Sequence, residues 1–168
     1  VYKRQNQSWA TDGTLDWLWP AAEAAQMPLA LLAGDWLPFL GEIAERHPTL
    51  KLTVDHMGAL RGAKGDAAFP NMKELVALAR YPNVSVKLTG GPFYADDGYP
   101  FKSLHKHYKA MYDAFGPRRL FWGTDITKMP CSWKHCVDHF QEIDWIPDGD
   151  KKLIMGDALC DWFGCFGR

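Results

Sequence analysis

Leu50-Lys51-Leu52-Thr53-Val54-Asp55-His56-Met57-Gly58 is a short apolar run that ends in two ionisable side chains and a glycine. Leu50 to Val54 reads as a strand, which puts Asp55 and His56 at its carboxyl end. Helical periodicity flanks this run on both sides. Leu37 to His47 places Leu37, Leu40, Ile43 and Ala44 on one face and is closed by Pro48, while Asn71 to Ala79 turns Leu75, Leu78 and Ala79 inward and stops before Pro82.

Further out, the same alternation continues. Upstream lies a strand-length run from Pro28 to Ala33, preceded by a helix from Thr14 to Gln26 that Asp12 or Thr14 can cap. Downstream, Val84 to Leu88 reads as a strand broken by Gly90-Gly91-Pro92, and Phe101 to Phe115 as a helix ended by Gly116-Pro117. Leu120 to Trp122 forms a fourth strand running into Gly123-Thr124-Asp125, and helices over Ser132 to Ile143 and Lys151 to Phe163 finish the chain. A helix followed by strand and helix four times over is the order of an α/β protein with a parallel sheet.

Two architectures fit: an open doubly wound sheet, or part of a (β/α)8 TIM barrel. The open sheet most often carries a glycine-rich turn after its first strand, and Ala33-Gly34-Asp35-Trp36 lacks that spacing. A whole barrel takes about 250 residues, so four strands in 168 residues amount to about half of one. The barrel reading predicts that residues 1–168 form a single partial domain whose N-terminal strands lie ahead of Val1.

Composition narrows the function. Hydrophobic residues make up 47% and charged residues 23%, an ordered globular balance. Nineteen Lys and Arg against 20 Asp and Glu give a net charge of -1, which argues against nucleic acid or an anionic membrane as the main partner. The longest apolar stretch, around Met27 to Ala33, is far below the roughly 20 residues of a membrane span, and no leader pattern opens the chain. Cys131, Cys136, Cys160 and Cys165 lie outside any small secreted scaffold. They read as free thiols in a reducing, cytoplasmic setting.

The informative polar residues stand at the carboxyl ends of the strands, where βα loops build active sites. They are Asp55 and His56 after the second strand, Lys87 and Thr89 in the third, and Asp125 after the fourth. A His and an Asp converging at one mouth can activate water as electrophile and general base, or ligate a divalent metal. Both residues also have a purely structural reading, Asp125 as a cap or turn residue and His56 as a satisfied histidine in a glycine-containing turn. Lys87 lies between Val86 and Leu88 and points to the opposite face. There it either binds an anionic group or snorkels to solvent. His105 and His107 sit two apart on a helix and face apart. His135 and His139, with Cys131 and Cys136, lack a metal-site pattern and read as surface histidines and buried thiols. Cys160 reads as a packed thiol on an apolar helix.

Three segments carry a resemblance: His47-Pro48 to Asp55-His56-Met57-Gly58, then Pro82 to Gly90, then Phe115 to Asp125. They resemble the amidohydrolase-related family of TIM-barrel hydrolases, which holds sugar and dicarboxylate lactonases and metal-dependent decarboxylases. The resemblance runs from about Ala33 to the C-terminus, and Ile154-Met155-Gly156-Asp157-Ala158 looks like the family's last helix. It implies that this is the C-terminal half of a barrel. His56 would end the sixth strand and polarise the substrate, Lys87 would anchor substrate from the seventh, and Asp125 would end the eighth as general base.

In metal-bound members of the family, Asp125 and His56 would be ligands of a divalent ion, zinc by preference; other members work without one. The H-x-H that ends the family's first strand would fall before Val1, and no histidine stands near Leu32, Ala33 or Gly34, where metal-dependent members carry one. The resemblance therefore implies a hydrolase that opens a lactone or related cyclic ester on a small, carboxylate-bearing substrate. A metal-dependent decarboxylase and an inactive chain that only binds a partner are the alternatives. Open sheet edges at the first and last strands invite self-pairing, so a homo-oligomer is expected as well.

Overall fold

The computed structural model describes residues 8–164, apart from the side chain of Ala10. Four strands, β1 (Leu29–Leu31), β2 (Leu52–Val54), β3 (Val84–Thr89) and β4 (Leu120–Gly123), form one parallel sheet in the order β1-β2-β3-β4. Strand order never reverses, so these strands contain no switch point of the kind that opens a crevice in a doubly wound sheet. Neighbour after neighbour in one direction is how a barrel wall is laid down.

Register separates the two faces. Leu52, Val54, Val84, Val86, Leu88 and Leu120 fall on one set of alternate positions and are all buried in the main core. On that core pack α2 (Leu18–Ala24), α3 (Leu37–Arg46), α4 (Met72–Ala77), α6 (His105–Phe115) and α7 (Trp133–Gln141), after a first turn α1 (Ser8–Thr11) and with a short α5 (Gly91–Tyr94) between β3 and α6. The other face carries Thr53, Ser85, Lys87 and Phe121. Thr53 and Ser85 are fully buried and share a hydroxyl hydrogen bond of 2.8 Å, which meets the demand that buried polar groups be paired. Phe121 is covered by Trp162 and Phe163 of α9 (Ala158–Phe163), which follows α8 (Asp148–Lys152) through a π-helical turn, Leu153–Asp157.

Several motif residues hold the amino end of the sheet. The buried Asn83 amide donates to the carbonyls of Ala44, His47 and Leu50, at 3.1, 2.9 and 3.0 Å. Arg119 gathers the carbonyls of Ala79, Tyr81, Val84 and Phe115. His47 pairs with Glu23 at 2.8 Å. These contacts tie helix ends to strand starts, a stabilising role at the pole opposite the strand carboxyl ends.

Three expectations are corrected. The helix expected over Thr14 to Gln26 runs only Leu18–Ala24, because the Asp12 carboxylate accepts from the Thr14 N–H at 3.0 Å and Gly13 turns at φ +86, a turn geometry in place of a helix start. The last helix begins at Asp148, ahead of the expected Lys151, since Asp148 and Asp150 favour the amino end of a helix. Cys160 is disulfide-bonded, against the expectation of four free thiols: composition indicates the usual compartment, whereas a bridge depends on which sulfurs the fold brings together. Among the described residues no helix is long and apolar enough to cross a membrane.

Candidate active site

His56 is presented by a strained turn. After β2 the chain enters a 3-10 turn, Asp55–Gly58, in which His56 (φ 50, ψ 40) and Met57 (φ 60, ψ 19) adopt left-handed conformations. Such backbone is uncommon for residues other than glycine and persists where the surroundings fix it. Two contacts do so here. The Met57 side chain is buried, and Gly34 backs against the turn so closely that a Cβ on it would lie 2.5 Å from the Gly58 carbonyl oxygen. The Gly34 carbonyl in turn accepts from the Asn71 amide at 2.7 Å.

Asp125 is presented in the same way. It follows β4 at φ 49, ψ 48, and the chain then forms a 3-10 turn, Ile126–Lys128, whose Lys128 ammonium returns to the Asp125 carboxylate at 2.8 Å. Across the gap between the turns, His56 Nδ1 lies 3.8 Å from Asp125 Oδ2, and the side chains are about one-fifth exposed, 20% and 23%. The Thr89 hydroxyl, at the carboxyl end of β3, lies 2.7 Å from His56 Nδ1. Burial holds the imidazole below its ordinary range and favours the neutral ring, against an upward pull from Asp125 and Asp55. Burial also raises the Tyr94 phenol beside Gly90, and the nearby Asp125 charge adds to that.

Lys87 is on the face the alternation requires and forms an ion pair with Asp55 at 2.8 Å. Solvent snorkelling is thus replaced by an internal partner, one strand away. Of the five polar residues read from the strand ends, His56 lies near both Thr89 and Asp125, and Lys87 pairs with Asp55, the residue before His56. Sequence reasoning missed Lys128, whose signal was its place three residues after Asp125 on a tight turn. It also missed a cleft of about 360 Å³ beside the same loops, lined by Lys64, Pro92, Tyr99, Pro130, Cys131 and His135 among others.

The remaining histidines sort as follows. His107 lies 3.1 Å from the Asp66 carboxylate and His105 packs near Trp145, so the H-x-H does face apart. His139, expected at the surface, is only 2% exposed, wedged among Phe101, Tyr108 and Phe140. The spacing explains it: three residues after the buried Cys136 and next to Phe140, His139 falls on the core side of α7, whereas His135 belongs to the exposed first turn.

The donors at this mouth fall short of a divalent-metal site. Among the described residues no three His, Cys, Asp or Glu side chains gather to hold an ion. His56 and Asp125 are two, with Nδ1 of His56 engaged by Thr89, whereas a catalytic zinc takes about three protein ligands. This donor set does not by itself fit the metal.

The amidohydrolase family model matches residues 2–158. The chain belongs to the amidohydrolase family. Among curated relatives, it is 30% identical over 139 residues to an L-fucono-1,5-lactonase of Burkholderia ambifaria, an alignment covering 80% of this chain and 46% of that protein. It is 32% identical over 110 residues to a 4-sulfomuconolactone hydrolase of Hydrogenophaga intermedia, covering 65% and 33%. The chain thus spans half or less of the length of these curated relatives. Among solved structures, an amidohydrolase from Burkholderia multivorans with bound zinc superposes with a TM-score of 0.79 at 22% identity, over 96% of this chain and 61% of that one. The family fold and the run of four βα units agree with the expected partial barrel.

Proposed function

We propose that the protein opens a lactone or related cyclic ester by attack of water, with Asp125 as general base and His56 as the group that polarises the carbonyl. The observation that carries this reading is the meeting of His56, Asp125 and Thr89 at one mouth, 3.8 and 2.7 Å apart, on two strained turns. Both curated relatives above are named for lactone hydrolysis, which supports it.

The chemistry follows from protonation states. In this scheme the Thr89 hydroxyl donates to Nδ1, which leaves the proton of a neutral His56 on Nε2. That N–H is a hydrogen-bond donor for the lactone carbonyl oxygen and for the oxyanion that forms as water adds. The Asp125 carboxylate takes the proton of the attacking water. When the ring C–O bond breaks, the same proton passes to the leaving oxygen, and the products are a free carboxylic acid and a hydroxyl group.

Lys87 anchors a substrate carboxylate in this scheme. Its ammonium has three N–H donors and is held by the Asp55 charge at 2.8 Å. The partner is a small, carboxylate-bearing molecule handled in the cytoplasm. Two copies joined through a sheet edge are the oligomer this fold would form. The decarboxylase alternative asks for a metal ligand set to which the described residues contribute two donors. The test is ring opening of an aldono-1,5-lactone by the full-length protein, followed by acid release, with Asp125→Asn alongside.

A further inference from the structure

Cys131 and Cys136 meet for a local reason. Ser132 caps α7, its hydroxyl accepting from the His135 N–H at 3.2 Å. Cys131 is then the residue before the cap and Cys136 the fourth residue of the helix, the two positions whose side chains pack together in a hydrophobic staple. Their sulfurs lie 3.6 Å apart. In an ordinary staple both side chains are inert; here both are thiols.

The two differ in access. Cys131 is half-buried and lines the cleft beside the Asp125 loop, next to Pro130 and His135, whereas Cys136 is 1% exposed. We propose that Cys131 and Cys136 form a redox-modification site that a peroxide closes into a reversible disulfide, tying the loop after Asp125 to the first turn of α7. A disulfide places its sulfurs about 2.05 Å apart, so closure needs a contraction of about 1.5 Å. Both partners are already held on the same side of the cap, and Cys131 sits in the loop, so side-chain rotation there supplies most of it.

The step balances. The Cys131 thiolate attacks one oxygen of hydrogen peroxide, the O–O bond breaks, and a sulfenic acid forms with release of hydroxide, which takes up the proton the thiol gave to solvent to leave as water. The Cys136 sulfur then attacks the Cys131 sulfur, giving up its proton as the S–O bond breaks and a second water departs. Two thiols lose two electrons and the peroxide gains two. Burial raises the Cys136 thiol, with Cys131 adding to the effect, which keeps Cys136 protonated until the sulfenic acid is beside it. Cys131 is therefore the residue that meets the oxidant, and Cys136 the one that resolves it.

The bond is read by mass, so its outcome is independent of the hydrolysis assay. Folded protein is exposed to a small excess of hydrogen peroxide, alkylated without reduction and cut with trypsin, which cleaves after Lys134, between the two cysteines. The proposal expects the two resulting peptides to appear as one linked species lacking two hydrogens, restored to free thiols by dithiothreitol. Cys131→Ser and Cys136→Ser should each abolish it, with Cys136 left unoxidised in the first and Cys131 accumulating as sulfenic or sulfinic acid in the second. Wild-type protein in which Cys131 oxidises to sulfinic acid without a link, or in which both thiols remain alkylatable, would overturn the proposal.

Discussion

Asp125 and His56 both sit in left-handed backbone, at φ 49 and 50, and conformations of this kind cost on the order of 1–3 kcal/mol each. Asn tolerates that region, so Asp125→Asn removes the carboxylate charge without adding backbone strain. We expect it to lower kcat by about 10² to 10⁴, the usual share of a general base, with an unchanged circular dichroism spectrum. Thr89→Val should lower kcat with little change in KM, because His56 Nδ1 loses the hydroxyl that orients the ring, and Thr89→Ser should restore most of the rate. Steady-state kinetics on the pair decides it. If Val and Ser behave alike, the hydroxyl plays no part. The pH profile has a sign as well. Burial holds the His56 pKa below 6.5, and protonation would place a cation 3.8 Å from the Asp125 carboxylate and remove the acceptor at Nδ1. Activity should therefore be full above that depressed pKa and fall as pH drops through it, with a midpoint below 6.5. An acid limb centred above 6.5 would contradict this assignment.

The turns that carry these residues depend on close packing between elements. Gly34, just after β1, meets the turn of His56 where a Cβ would approach the Gly58 carbonyl oxygen to 2.5 Å, which is backbone that cannot rotate away. Gly34→Ala should displace that turn and reduce kcat while the protein stays folded, seen as a lower rate beside an unaltered far-ultraviolet spectrum. Wild-type kinetics in this variant would show that the contact does not position His56. At α7, Ser132→Ala removes the cap on the His135 N–H and should cost about 1 kcal/mol, read from the urea midpoint. The same cap sets the staple that brings Cys131 to Cys136, so local stability and the sulfur contact share one origin.

For the whole molecule, acid sensitivity follows from its histidines. Burial is the leading cause holding His56, His105, His107 and His139 below their ordinary value of 6.5. Below about pH 6.5 the unfolded chain binds protons that the folded chain refuses, so stability is greatest above that pH and is lost as pH falls through the depressed folded values. The urea midpoint should drop between about pH 7.5 and pH 5.5, and His139→Gln should flatten the drop. Much of this molecule was legible in its sequence. Apolar runs ending in Asp55-His56, Lys87-Leu88-Thr89 and Asp125 gave the strand order and the mouth together, since a parallel strand directs its last residues to one pole. What stayed hidden lies in relations across the fold: the Lys87 to Asp55 pair and the Thr89 to His56 bond depend on register between β2 and β3. The burial of His139 depends on how α7 is rotated onto the core, and the Cys160 bridge on which sulfurs meet, neither of which a one-dimensional pattern reports.

The proposed activity is lactone opening at the mouth shared by Asp125 and His56. It is tested most directly by following acid release from an aldono-1,5-lactone with the full-length protein and its Asp125→Asn variant, matched for folding by circular dichroism. Ring opening should run well above the spontaneous rate in the wild type and fall by about 10² or more in the variant. Equal rates in the two proteins would remove Asp125 from the chemistry. No ring opening across a panel of sugar and muconate-type lactones would contradict the reading of this protein as a lactone hydrolase.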